Sequence, residues 1–142
     1  MRSKRMQPIA HIAEQKQQKA IQVYVSAQEA VVSAQAQLEQ LIDYRIEYSQ
    51  GRVTRHMSMN QLRDYQGFLD KLNQSIDQAK QLIQQRKLQC ERQRLQWLQT
   101  RTRSKALDAV IAKYLQQEAE CEARLEQKEQ DEFASRVARL DK

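Results

Sequence analysis

Between residues 13 and 48 apolar side chains return at alternating steps of three and four. Tyr24, Val31, Leu38 and Arg45 mark one position of a seven-residue repeat, and Ala13, Ala20, Ala27, Ala34, Leu41 and Tyr48 mark the other. The alternation resumes from residue 62, where Leu62, Leu69, Ile76, Ile83, Cys90 and Trp97 interleave with Tyr65, Leu72, Ala79 and Arg86. A repeat of seven keeps one apolar stripe of a helix turned toward a partner helix, so the pattern predicts two helices that share a seam. Four alanines at one seam position let the axes approach toward the lower end of the roughly 8–10 Å range.

The period lapses only over residues 51–57. Gly51 is placed to leave a helix in the left-handed conformation. Ser58 and Gln61 have the spacing of a capping box that starts a new one. Pro8 fits a helical first turn, where its missing N–H has no partner to lose. The expected elements are a helix over 8–50, a loop over 51–58 and a helix over 59–138. The fold class is all-α: a single long antiparallel two-helix coiled coil, an αα-hairpin spanning 1–142. Gly67 is the one local objection, at about 1 kcal/mol. A bend near residue 55 or 56 sets Trp97 beside Ala13 and Glu14, and Tyr65 beside Ile46 and Glu47. Residues 106–142 then form an overhanging C-terminal helix whose apolar residues, among them Leu107, Tyr114, Leu125 and Phe133, have no partner. Such a stripe is a docking element, or a place where two copies associate.

Composition narrows the function. Two Gly and one Pro in 142 residues leave too few turns for a sandwich, barrel or doubly wound sheet, and too few glycines for a phosphate-cradling loop. No apolar run nears the roughly 20 residues of a membrane span and no secretory leader is legible, so the expected location is the cytoplasm. Cys90 and Cys121 lie about 46 Å apart on one helix, too far for a disulfide. His11 and His56 are distant from both, so no metal and no cofactor is expected. Glu118 and Glu122 read as i, i+4 surface charges. Without a pocket or an activated residue, the chain is expected not to be an enzyme.

The net charge of +6 is uneven. Arg86, Lys87, Arg92, Arg94, Arg101, Arg103 and Lys105 fall in one stretch with a single acid, Glu91. The hairpin sets this stretch beside Arg2, Lys4 and Arg5, giving a positive open end suited to acidic protein loops; the plainer reading is a solvated face that keeps the coil soluble. Trp97 is the only aromatic there and lies on the seam, so no nucleic acid is expected as a partner. From Asp108 onward nine acids face six bases. Nearer the bend Gln37, Tyr44 and Phe68 flank one side of the seam as an aromatic patch, the kind of surface that anchors partners. Ile42 flanks the other side, opposite Gln66 and Asn73.

The run Ala36-Gln37-Leu38-Glu39-Gln40-Leu41-Ile42-Asp43-Tyr44-Arg45-Ile46-Glu47-Tyr48 resembles the flagellar export protein FliJ family. So do Tyr65-Gln66-Gly67-Phe68-Leu69 and Gln127-Lys128-Glu129-Gln130-Asp131-Glu132-Phe133-Ala134. The resemblance implies a non-catalytic part of the type III export apparatus, similar to the rotor stalk of rotary ATPases. It inserts into the hexameric flagellar export ATPase and links that ring to the cytoplasmic domain of the membrane export gate. Export chaperones are a further implied partner, and the implied location is cytoplasmic, peripherally associated with the inner membrane at the flagellar base. Matching positions to the family's gate-contacting surface gives Gln37, Leu41, Tyr44, Tyr48, Phe68 and Leu72, continued by Ser75 and Ala79. For the ATPase ring the candidates are Arg92, Arg94, Arg101, Arg103 and Lys105, chosen on charge alone. Two alternatives stand beside the stalk: an escort for export chaperones or substrates, and the equivalent stalk of a virulence-type secretion system.

Overall fold

A computed structural model describes residues 1–51 and 57–141. Two helices account for nearly all of them, α1 over Arg2–Gly51 and α2 over Met59–Leu140. They pack against each other as an all-α helical hairpin, with no strand among the described residues. Gly51 is the last residue of α1 and not the left-handed residue expected after it, and the turn over 52–56, with His56, lies outside the described residues.

The start of α2 follows from its cap. The Ser58 N–H donates to Gln61 Oε1 at 3.1 Å and the Gln61 N–H donates to Ser58 Oγ at 3.2 Å, so each side chain satisfies a backbone donor that the first turn leaves open. The Leu62 N–H reaches the Ser58 carbonyl at 2.9 Å and begins the helical ladder. Gly67 lies inside α2 and has nothing within 4 Å of where a Cβ would stand.

The start of α1 differs from the expectation. It begins at Arg2, and Pro8 sits inside the helix, where a proline removes a backbone bond and crowds the carbonyl four residues back at a cost of about 3 kcal/mol. Long-range contacts hold the residues before Pro8 against α2. The Ser3 N–H and hydroxyl donate to Glu118 at 3.2 and 2.7 Å, the Met1 ammonium lies 2.9 Å from the same carboxylate, and Ser3 is 2% exposed. Local sequence favoured a start at Pro8; a partner 115 residues away carries the helix past it.

By internal contacts the chain forms two compact units, Lys19–Trp97 and Met1–Gln18 with Leu98–Lys142. In the first, Ala34, Leu72, Ile76 and Ile83 are buried along the seam, and Tyr24 lies against Trp97 with ring centroids 5.7 Å apart. Arg45, a cation at a seam position, is accommodated by donating to Asn73 Oδ1 at 3.0 Å. In the second unit Ala13 and Ser104 are buried, and Arg2 lies 5.9 Å from the Tyr114 ring centre.

These contacts correct the expected register. Trp97 meets Tyr24, not Ala13 and Glu14, and Asn73 meets Arg45, not Ile42. Pairing extends along α2 to Glu118, so the uncovered segment is 119–141, every residue of which is exposed, and not 106–142. Part of the shift comes from side chains leaning toward their own helix N-terminus. In an antiparallel pair the two leans oppose, and each residue touches a partner farther along than its Cα level implies. The rest is packing, which a bend position does not specify. Tyr24 stands between Ala20 and Ala27 in the seam, which leaves room for the single Trp of α2.

Candidate docking surfaces

Four aromatic rings gather on the part of the Lys19–Trp97 unit nearest the turn. Tyr44 and Tyr48 are one turn apart on α1, and Tyr65 and Phe68 are one turn apart on α2. Phe68 meets Tyr44 edge-on at 6.0 Å and tilts against Tyr48 at 4.4 Å. Tyr48 stacks on Tyr65 at 5.2 Å, and Tyr44 and Tyr48 lie 6.5 Å apart. Despite these contacts Tyr44 remains 50% exposed. A rigid ring held by its neighbours and half open to water offers apolar area at little conformational cost, which suits it to anchor a partner.

The six candidate gate residues do not share one environment. Gln37 and Tyr44 are exposed, Leu41, Tyr48 and Phe68 are half-buried, and Leu72 is buried at 5% exposure. Ser75 is exposed and Ala79 half-buried. Tyr65 completes the cluster although the sequence placed it on the seam and in the run Tyr65–Leu69 and not among the gate residues; the signal was its place three residues before Phe68.

The basic candidates also divide. In the Lys19–Trp97 unit Arg92 is exposed, whereas Arg94 grips Glu91 with two bonds of 3.0 and 2.6 Å. The hydrogen bonds from Arg94 hold the Glu91 carboxyl below its ordinary pKa, and the same bonds raise that of the guanidinium. In the other unit Arg103 and Lys105 are exposed and Arg101 is half-buried. Arg2 lies at Tyr114, nine residues or about 14 Å along α2 from Lys105. Arg2 therefore lies beyond Lys105, the last residue of the basic stretch, and not beside it as expected.

Glu118 is the residue that sequence reasoning missed. Read as one of two surface carboxylates, it accepts from the Met1 ammonium, the Ser3 hydroxyl and the Ser3 N–H. The bond from the amino terminus, followed by the two from Ser3, pushes its pKa down to about 2. Nothing in the spacing of Glu118 and Glu122 signals a partner 115 residues away.

Two open grooves flank the seam of the Lys19–Trp97 unit. One is lined by Val23, Ala27, Ala30, Arg86 and Gln93, the other by Gln35, Leu38, Lys80, Ile83 and Lys87. His11 Nε2 lies 3.1 Å from Gln15 Nε2. Among the described residues no three His, Cys, Asp or Glu side chains are grouped to hold a metal, and no helix is long and apolar enough to cross a membrane.

A family model described as the flagellar FliJ protein matches residues 2–141. Among curated proteins no match to the chain is found.

Proposed function

The chain belongs to the flagellar FliJ family and has a role in flagellar export, and we propose that this role is that of a non-catalytic stalk and adaptor. It inserts into the hexameric export ATPase, promotes assembly and turnover of that ring, and links it to the cytoplasmic domain of the membrane export gate. It does so in the cytoplasm, peripherally associated with the inner membrane at the flagellar base. The observation that carries the reading is the extent of the family match, which takes in both helices of the hairpin.

The gate contact is assigned to the aromatic cluster. Gln37, Tyr44 and Phe68 offer the surface, while Leu41, Tyr48 and Leu72 hold the two helices together beneath it. For the ring contact Arg92, Arg94, Arg101, Arg103 and Lys105 supply positive charge toward acidic and polar loops. Arg94 shares its charge with Glu91, to which it is already bound.

A second reading, an escort for export chaperones, is favoured by the exposed segment 119–141. Leu125, Phe133 and Leu140 are 57%, 70% and 84% exposed there, and uncovered apolar groups of that size suit a partner helix. The family match supports a flagellar setting over the virulence-type one.

The test is to titrate the protein into the cognate export ATPase while following turnover and gel filtration. Stimulation that saturates near one chain per six ATPase subunits, with a ring-sized complex, supports the stalk. Saturation only at six per ring, or neither complex nor stimulation with an assembly-competent ATPase, refutes it. Loss of chaperone binding on deletion of 119–142 would then favour the escort.

A further inference from the structure

Residues 119–140, the end of α2, are exposed throughout, although a lone helical segment of that length is marginal in water. Past Glu118, steps of three and four along the face that α1 covers lead to Glu122, Glu126, Glu129, Phe133, Val137 and Leu140. The stripe is acidic over its first half and apolar over its second. Glu126, Glu129 and Phe133 border one shallow hollow on it.

In the same compact unit α1 carries a complementary stripe. Ser3, Met6, Ala10, Ala13 and Gln17 turn toward α2 and are buried or half-buried. Beside them Arg2, Arg5, Ile9, Ile12 and Lys16 recur at three-and-four steps and are all exposed, Ile9 and Ile12 at 43% and 53%. Alanines thus fill the seam here while the larger aliphatics face away from it, so α1 has one face more than α2 covers. The charges of this stripe are all basic, and neither Arg5 nor Lys16 has an ion-pair partner among the described residues.

We propose that the two stripes meet between two copies of this chain, as an antiparallel dimer in which the end of each α2 lies along the start of the other copy's α1. To within one residue the steps coincide. With Glu126 beside Arg2 of the second copy, Glu129 meets Arg5, Phe133 meets Ile9, Val137 meets Ile12, and Leu140 meets the stem of Lys16. The order of charges selects this arrangement: the reverse direction would set Val137 and Leu140 on Arg5 and Arg2, and two α2 ends laid on each other would leave all three glutamates without a base in the stripe. A two-fold axis across the rod makes both contacts at once. Because Ser3 is bound to Glu118, Arg2 stands near residue 119 of its own α2, and Glu126 of the second copy at that level puts the axis between Glu122 and Ala123. The second α1 then occupies the α2 face that the first leaves open, and the two α1 starts meet head to head near Glu122. Phe133, Val137 and Leu140 are covered in the dimer, so a partner of 119–141 has to displace the second copy.

Sedimentation velocity of the full chain over a concentration series is expected to show a reversible monomer–dimer equilibrium that high salt weakens. Arg5→Glu and Glu129→Arg, both at exposed positions, are each expected to raise the dimer dissociation constant at least about tenfold, and an equimolar mixture of the two variants to restore the dimer. Phe133→Ser is expected to cause a similar loss with ellipticity at 222 nm unchanged, and Tyr44→Ala to leave the constant within about twofold. A bismaleimide is expected to join two copies through the exposed Cys121, beside the axis, and not through Cys90, about 46 Å away along α2. A monomer at every concentration, a dimer that Arg5→Glu and Phe133→Ser leave intact, a mixture no better than either variant alone, or cross-linking that survives Cys121→Ser would overturn the proposal. So would a chain that stays monomeric and binds phosphatidylglycerol vesicles through Arg5, since the basic stripe would then serve a membrane surface.

Discussion

Leu72 and Tyr44 lie in the same candidate surface but differ tenfold in exposure, 5% against 50%, and that difference makes them separable. Leu72→Ala removes a side chain almost wholly withdrawn from water, so it loses both the transfer free energy and the contacts around the space it leaves, about 2–5 kcal/mol in well-packed cores. A two-helix seam is bordered by solvent and can close in part, which sets the expectation at the low end, about 2–3 kcal/mol. Tyr44→Ala gives up only the covered half of its ring and the edge-on contact with Phe68, about 1 kcal/mol. Urea unfolding followed by circular dichroism at 222 nm measures both. At the helix content of this chain the midpoints should fall in the order wild type, Tyr44→Ala, Leu72→Ala, with similar slopes. Binding to the export-gate domain should show the opposite ranking once measured at temperatures where both variants are folded. If Tyr44→Ala destabilises the hairpin as much as Leu72→Ala, the exposed ring is structural and the division of the surface into anchors and supports is wrong.

Three further outcomes follow from the geometry. Gly67→Ala should raise stability by about 0.5–1 kcal/mol, because a methyl at that helical position meets nothing and removes backbone freedom from the unfolded chain; a lower melting temperature would contradict this. The Glu118 carboxyl titrates near 2 when folded and near 4.3 when unfolded, so its contribution is fully present above about pH 4.3 and disappears as pH falls toward 2. Thermal melts of wild type and Glu118→Gln should therefore differ at neutral pH and converge over that window, and a gap unchanged at pH 2 would show that the carboxylate is not what matters. Charge reversal of the exposed pair Arg103 and Lys105 to Glu should reduce stimulation of the export ATPase while leaving helicity unchanged. Stimulation equal to wild type would remove these residues from the ring contact.

The heptads, the scarcity of Gly and Pro, and the Ser58–Gln61 box determined by themselves that the chain is two helices joined by a turn. Each of those signals acts over less than two helical turns: apolar period, backbone freedom and capping are properties of neighbouring residues. The aromatic surface was legible for the same reason, since Tyr44 and Tyr48 are adjacent on a helix and the turn brings Phe68 near. Family membership was legible too, because the runs Ala36–Tyr48 and Tyr65–Leu69 are local.

Only the tertiary structure decided how far one helix is shifted along the other. A seam of repeated sevens fits nearly as well after a slide of one heptad, so the choice falls to individual contacts such as Tyr24 on Trp97, Arg45 on Asn73 and Ser3 on Glu118. That choice started α1 before Pro8, shortened the uncovered end of α2, and separated Arg2 from the basic stretch. It also aligned Gln35 with Lys80 and Lys87 along one groove. The physical reason is that register is a sum over long-range packing and charge pairs, and no local pattern in either helix contains the identity of the residue that will face it.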